Sequence, residues 1–525
     1  MPGQNGLQQI ATIMKPEFRK ARHSIIVSDI HLSDAEIPNP RRPFWKRFKQ
    51  REFFIDDSFS RFLLHIETLT RDYDAEHGIH PSLPETSASP IELILNGDIF
   101  DFDAVMELPE DTSPTTGSSR VGHVSWLERA RGLSAEEAKS RFKMEVILRD
   151  HAVWVNSLGE FIKRGHHAVF VIGNHDMELH WPGVQQAIVQ ALGLTSDQRE
   201  NVRFCEWFYI SNHDTLIEHG NQYDSYSICT NPIHPLIRKG TKITVRLPFG
   251  DIANKYMING MGLFNPYVTS QFIMSFFEYM KFFFKFMLRD QPLLLWTWFW
   301  GAMMTLAHSL AEGFLPAIKD PLTVERRIAE IAQKSNASPR LVRSLKEVHV
   351  HPVYYNPLKI MRELWLDRAL LFGLMLFGSW EIVSLLKLIA NISTAWMIVG
   401  IAIFMPFFVF YARSIRSQVK TEVEQAPAQF VALSARLARV KRVVHGHTHN
   451  ETHTQIEGIE LLNTGTWSPA FHDIQCTKPY GRKPFAWLKP SPIDRERSAE
   501  LREWQEHQSQ VIAPSVPLSI PATTG

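Results

Sequence analysis

Seven side chains of types that bind divalent cations stand in short clusters along this chain: Asp29, His31, Asp98, Asn174, His219, His447 and His449. Asp29 and His31 are one residue apart at the end of an apolar run. In an extended segment residues i and i+2 face the same side, so both can turn toward one ion. Asp98 follows Asn96-Gly97 and precedes Asp101. Glycine there permits the turn and the close approach needed by a carboxylate shared between two cations. Gly173-Asn174-His175-Asp176 adds a neutral amide oxygen suited to a hard cation, and a histidine placed to help a reacting phosphate. His219 ends the apolar run Leu216-Ile217, and Gly446-His447-Thr448-His449 sends two imidazoles the same way from one segment. His445 shares their parity but lies back toward the strand and reads as structural. Taken singly, each cluster has a bland reading: a solvated loop for Asp29-x-His31, an N-cap for Asp98, a turn for Gly173-Asn174, a satisfied structural histidine for His219.

The elements that must position these groups are legible as short β-branched runs. Ser24 to Ser28, Ile91 to Leu95, Ala168 to Ile172 and Thr215 to Glu218 read as buried strands, each running directly into one of the polar clusters. Catalytic groups on loops at the carboxyl ends of strands are what an α/β layered sheet provides. Asp57 to Asp72 and Lys139 to Arg164 read as helices between them, and Glu107 to Gly122 as a loop. After Asp224 aromatic and aliphatic residues take over, and the strand signal returns only at Val443-Val444 and at Ile459 to Leu462. The expected organisation is an N-terminal extension (1–20), a first part of an α/β domain (21–225), a helical hydrophobic insertion (226–425), the second part of the same domain (426–500) and a disordered tail (501–525).

Five blocks in order, Asp29-x-His31, Gly97-Asp98-x-x-Asp101, Gly173-Asn174-His175-Asp176, His219-Gly220 and Gly446-His447-x-His449, resemble the calcineurin-like metallophosphoesterase superfamily. The resemblance covers Ser24 to Asp224 and Arg442 to Trp467. It implies an α/β fold, a two-sheet sandwich with helices outside, here interrupted by the hydrophobic insertion. It also implies two divalent metal ions (Mn, Fe or Zn) that activate a water for attack on a phosphate ester or pyrophosphate. Carried over by position, Asp29, His31 and His449 would hold one ion and Asn174, His219 and His447 the other, with Asp98 bridging. His175 would stabilise the phosphoryl oxygens or protonate the leaving group, and Asp101 would orient it. The HGHTH block, His219-Gly220-Asn221 and Asn463-Thr464-Gly465-Thr466-Trp467 look like the UDP-2,3-diacylglucosamine hydrolase branch. That branch commonly carries arginine where this chain has His175, so its substrate does not transfer. The alternatives are a non-catalytic membrane scaffold of the same fold and a nucleotide or nucleic-acid phosphodiesterase. Scaffolds of the superfamily lose ligands, whereas every position here is filled.

Charge gives nucleic acid no support as a partner: 56 Lys and Arg against 55 Asp and Glu leave no global attraction to a polyanion. Three cysteines without CxxC spacing exclude a disulfide framework and a zinc-thiolate site, and fit a reducing cytoplasm. No secretory signal is read in Met1 to Met14. Ile392 to Ala412 holds no charged residue, and as a helix would extend about 31 Å, the thickness of a bilayer's hydrocarbon core. Ala369 to Ala390 is similar but carries Glu381 and Lys387, and the two read as a membrane hairpin over 369–412. Motifs on both sides of the insertion must meet in one site, so the number of crossings is even. Arg362, Arg368, Arg413, Arg416 and Lys420 put both flanks on the cytoplasmic face. Phe272 to Leu288 reads as an interfacial helix and Pro292 to Leu315 as re-entrant or membrane-lying. The competing reading is a buried helical cap. Arg41, Arg42, Lys46, Arg47, Lys49 and Arg51, interleaved with Phe44, Trp45 and Phe48, are candidates for anionic headgroups or a solvated face. Ile328 to Val348 has some helix-turn-helix character but no concentrated recognition helix. The expected partners are a phosphoester substrate, lipid-linked in the favoured case, and a membrane.

Overall fold

The structure is a computed structural model that describes residues 21–79, 90–110, 121–263, 265, 267, 281–390, 393–414, 427–479, 481–491 and 496–513. The N-terminal extension, residues 111–120 of the expected loop and most of the expected interfacial helix at 272–288 lie outside the described residues.

The apolar runs form strands because each has two faces to bury. In β1 (His23–Val27), Ile25 and Val27 point into one core and Ile26 into another. β2 (Ile91–Asn96) and β3 (His167–Val171) alternate likewise, Leu93, Leu95 and Phe170 against helices, Ile94, Val169 and Val171 against a second sheet. With β4 (Val202–Cys205) they make four parallel strands. β5 (Phe208–Ser211) and β6 (Thr215–Glu218) start the second sheet, and β7 (Leu236–Lys239) pairs with β8 (Lys242–Val245) in a separate hairpin. β9 (Arg442–His445), β10 (Thr452–Ile456) and β11 (Ile459–Asn463) complete the second sheet in the order β10-β11-β9-β6-β5. β12 (Pro484–Pro490), β13 (Arg497–Gln505) and β14 (Gln508–Val511) extend the first sheet antiparallel beyond β1, giving the order β14-β13-β12-β1-β2-β3-β4.

Helices α1 (Asp56–Glu76), α2 (Glu137–Asp150), α3 (Ala152–Lys163) and α4 (Pro182–Ala191) cover the outer face of the seven-stranded sheet. The expected single helix 139–164 is broken at His151, whose buried ring bridges Asp56 Oδ1 at 2.8 Å and the Ser33 carbonyl at 2.9 Å. The insertion begins with β7, β8 and the short helix α5 (Phe249–Ala253), followed by α6 (Leu294–Phe314). Next come α7 (Val324–Lys334) and α8 (Pro339–Lys346), the latter capped by Ser338, whose Oγ accepts from Leu341 N at 3.2 Å. Their apolar faces, Ile328, Ile331, Val342 and Leu345, pack on the outer face of the five-stranded sheet beside Val431 and Ala435. The stretch with helix-turn-helix character is therefore a layer of the sandwich.

Two long apolar helices follow: α9 (Leu366–Ala390) and α10 (Met397–Ser414), then α11 (Pro427–Ala438) returns to the five-stranded sheet. The architecture is α/β, two mixed sheets face to face with helices outside, plus a helical region bearing the two apolar helices. Residues 501–511, expected as tail, are instead strand. β13 pairs with the whole of β12 and buries Leu501 between the sheets and Trp504 on the helix-covered face, so two apolar anchors inside a polar composition hold the strand in the sheet. Residues 514–525 lie outside the described residues.

α9 and α10 pack on each other through Phe372 and Phe408 (ring centroids 5.6 Å) and through Tyr411, whose hydroxyl donates to Asp367 Oδ2 at 3.0 Å. On their other faces large apolar side chains stand exposed: Leu388 is 84% exposed and Ile403 68%. Both are long and apolar enough to cross a bilayer. A buried cap would require these side chains to be covered, and they are not. α6 is inverted in the same sense. Its inner face holds Gly301, Ala302, Thr305 and Ser309, and its outer face holds Leu295, Trp296, Phe299, Trp300 and Met303, all exposed.

Candidate metal centre

All seven candidate side chains meet at the carboxyl ends of β1, β2, β3, β6 and β9, where the loops of both sheets converge. The backbone there is not extended. Asp29 (φ 53°), His31 (56°), Asp98 (52°), His447 (69°) and His449 (55°) all lie in the left-handed region, so the strand parity expected for Asp29/His31 and His447/His449 is replaced by a turn at each residue. For residues with a Cβ each such conformation costs on the order of 1 kcal/mol, and surrounding contacts must enforce it. Those contacts are present: Asp29 N donates to Gly97 O, His31 N to Asp98 O, and His447 N to both Asp29 carboxylate oxygens at 3.2 and 3.1 Å. Gly97 (φ 77°) and Gly446 have no room for a side chain, since a Cβ would overlap the His219 ring at the first and Ser28 and Asp29 at the second.

Four groups of ligand-capable atoms result among the described residues; His175 joins two of them, with His31 and Asp101 and with Asp103 and Asp251, and the candidate ligands make the other two. In one, His31 Nε2 lies 3.2 Å from His449 Nε2, and His449 Nε2 lies 3.2 Å from Asp29 Oδ1. The other joins Asp98, His219 and His447, with His219 Nε2 3.0 Å from Asp98 Oδ2. The outward nitrogens fix the tautomers, because a carbonyl can only accept. His219 Nδ1 donates to Asn96 O at 3.0 Å and His449 Nδ1 to Tyr267 O at 3.2 Å. His447 Nε2 pairs with Asp224 Oδ2 at 3.0 Å. Each ring thus turns its other nitrogen inward with a lone pair, the arrangement found around metal-ligating histidines. Lone pairs facing lone pairs and carboxylates at about 3 Å, in a buried site, call for protons or cations between them. Asn174 Oδ1 is buried without a hydrogen-bond partner. The donor set, oxygen and imidazole without thiolate, fits divalent first-row cations.

The electrostatics agree. Burial, and after it the His175 imidazole, push His31 down to about 3, leaving it neutral. Burial opposes charge on Asp29 and Asp98, yet the histidines around them, His219 with His449 at the first and His219 with His175 and His31 at the second, together hold both carboxyls below their ordinary value. Burial likewise opposes the His219 imidazolium, but Asp98 and Asp29 raise it to about 9. A cation would satisfy the same carboxylates in place of that proton. Burial opposes the His175 imidazolium too, and the carboxylates of Asp101, Asp98 and Asp251 hold its pKa well above the usual histidine range.

Neither a family model nor a curated protein matches this chain.

His175 Nδ1 lies 3.5 Å from Asp101 Oδ1, as the sequence reading expects, and 3.8 Å from Asp251 Oδ1. Asp101 is held by Ala104 N at 3.1 Å and by the Tyr267 hydroxyl, while Tyr267 stacks against His31 with centroids 4.2 Å apart. His445 is in none of the ligand groups among the described residues. It lies 3.2 Å from Asn463 Nδ2, and burial lowers it to about 4. Sequence reasoning missed Asp224, Asp251 and Tyr267. All three fall at or beyond the point where the α/β signal fades, and Asp251 and Tyr267 belong to the apolar insertion, where nothing in their spacing marks them. Of the basic run at 41–51, Arg41 and Arg42 are exposed but Lys46 and Lys49 point inward, Lys49 onto Asp34 at 2.5 Å. The run is therefore not a uniform headgroup-facing stripe.

Proposed function

We propose that this chain is a metal-dependent phosphoesterase with two divalent cations, acting at the cytoplasmic face of a membrane on a phosphate ester or pyrophosphate carried by a lipid. The observation that carries the reading is the convergence of Asp29, His31 and His449, and of Asp98, His219 and His447, from loops more than four hundred residues apart into two adjoining groups of ligand-capable atoms. Asp29, His31 and His449 would hold one cation and Asn174, His219 and His447 the other, with Asp98 between. Two cations so held supply Lewis acidity toward phosphate oxygens and acidify a coordinated water. His175, the one member of the cluster kept protonated by three carboxylates, is placed to donate a proton to the departing oxygen. Asp101 faces its Nδ1 and keeps the ring oriented, and Tyr267 keeps Asp101 in place.

Lipid is favoured by the surface around this centre. α5, which carries Asp251 into the site, packs through Phe249 on the inner face of α6, and the outer face of α6 is the exposed aromatic stripe. The metal centre thus lies one helix layer from an apolar surface continuous in character with the α9–α10 hairpin. Exposed aromatics over a span-length hairpin fit a bilayer interface.

The test is hydrolysis by the purified full chain with Mn²⁺, against a panel of nucleotide, sugar-diphosphate and lipid-phosphate esters, with and without chelator. Turnover that needs the metal, and is greatest for a lipid ester, is expected. Turnover unaffected by chelation, or none on any ester, overturns the phosphoesterase reading. Release of the protein from membranes by a carbonate wash overturns the spanning anchor alone.

A further inference from the structure

An asparagine can ligate a cation only through its oxygen, and its two amide atoms are nearly the same size, so something must decide which one faces the site. Asn174 Nδ2 donates to Asp251 Oδ1 at 3.2 Å, and Asn174 Oδ1, at the other end of the amide, is buried with no partner. Both residues are buried, and Asp251 is fully so. A carboxyl Oδ1 accepts whether the group is ionised or not, so Asp251 presents an acceptor in either state. No other hydrogen bond among the described residues orients the Asn174 amide. Asp251 is itself placed by α5, where Gly250 N donates to Tyr226 O at 2.9 Å and Phe249 is packed against Tyr226. The same Oδ1 lies 3.8 Å from His175 Nδ1, so one side chain from the insertion faces both an amide and the imidazole beside it.

We propose that Asp251 is a positioning residue that locks the Asn174 amide with its oxygen toward the second cation, so that the insertion completes the metal centre. This rests on the two-cation reading above. Removing the acceptor leaves the amide free to turn Nδ2 inward, which lowers affinity for the second ion. Outer partners of metal ligands typically contribute about 10- to 100-fold in affinity or activity. The first ion, held by Asp29, His31 and His449, keeps its affinity.

Mn²⁺ binding to the metal-stripped full chain in detergent, followed by calorimetry and by metal content, tests this. Wild type should take up two ions, and uptake of fewer would overturn the two-cation reading itself. With two ions on wild type, Asp251→Leu should weaken the second by about 10- to 100-fold and leave the first unchanged. Asn174→Asp should also weaken it, because two carboxyl oxygens then face each other. The pair Asn174→Asp with Asp251→Asn restores a donor and an acceptor in reversed order, and should recover most of the lost affinity. A role for Asp251 in packing alone would give no such recovery. Folding of each variant is checked by circular dichroism. If Asp251→Leu does not fold, the reversed pair, isosteric at both positions, decides the question. Two-ion affinity unchanged in folded Asp251→Leu, or a reversed pair no better than Asn174→Asp alone, overturns the proposal.

Discussion

The strands of the sandwich and the helices of the hairpin are built from the same kinds of residue, yet they dispose of them in opposite ways. β1, β2, β3, β6 and β9 bury both faces, one against helices and one against the opposing sheet, so each apolar side chain has a partner inside the chain. α9 and α10 pack on each other, and α9 buries Leu366 at its start beside Ala302 and Ile360, but Leu388 and Ile403 are turned outward. Apolar composition alone therefore does not say whether a segment is core. What decides is whether the topology brings a second apolar surface against it, and among the described residues Leu388 and Ile403 of the hairpin are left exposed. The insertion itself divides along this line. Its first portion delivers Asp251 and Tyr267 to the candidate metal centre, and α7 and α8 cover a sheet, whereas no described residue of α9 or α10 is in the ligand groups or the sheet cores.

The largest contrast is expected from two reciprocal changes. Asp98→Asn removes the carboxylate proposed to be shared by both cations and should bring metal-dependent hydrolysis to background while the protein stays with membranes. Replacing 369–412 by a flexible linker should do the reverse: the protein moves to the soluble fraction, and activity on small water-soluble phosphoesters is largely kept. Assays of both fractions check the pair, and loss of folded, active protein on hairpin removal would show that the two regions are not separable. Next in size, His175→Ala should lower kcat by about 10² to 10⁴ with metal content retained. A collapse of metal content instead would make His175 a ligand. Trp154→Ala, in the helix-covered core, should cost about 3 to 5 kcal/mol of stability in chemical denaturation. Ile403→Ala, in the hairpin, should change stability in detergent by no more than about 0.5 kcal/mol, the range of surface positions. A core-sized loss at Ile403 would mean that this face is covered by protein after all.

Much of the site was legible because its chemistry is local in sequence. Asp29-x-His31, Gly97-Asp98 and Gly446-His447-x-His449 each combine ligand types with the glycine or short spacing that a tight strand-end loop requires. What brings those loops together is register: β1 pairs with β2, β2 with β3 and β6 with β9, all parallel, so their carboxyl ends share one edge. Parity failed as the reason for the ligand directions even though the residues were right, because left-handed backbone depends on hydrogen bonds from distant segments, such as His447 N to Asp29. Residues 501–511 read as tail because polar, Gln-rich composition masks β13 and β14, in which only Leu501 and Trp504 of that stretch are buried.

By itself the sequence determined the α/β class, the order of the candidate ligand blocks and the length of the apolar hairpin, since each follows from residue type, spacing or run length. Only the tertiary structure decided which nitrogens of His219, His447 and His449 turn inward, that α7 and α8 are a layer of the sandwich, that Leu388 and Ile403 of the hairpin face outward, and that Asp224, Asp251 and Tyr267 border the candidate metal centre. The physical reason is the range of the interactions. Helix and strand periodicity are set by neighbours along the chain, whereas a buried polar atom takes whatever partner the packing brings to it. That partner can stand, as Asp251 does for Asn174, on the far side of several intervening elements.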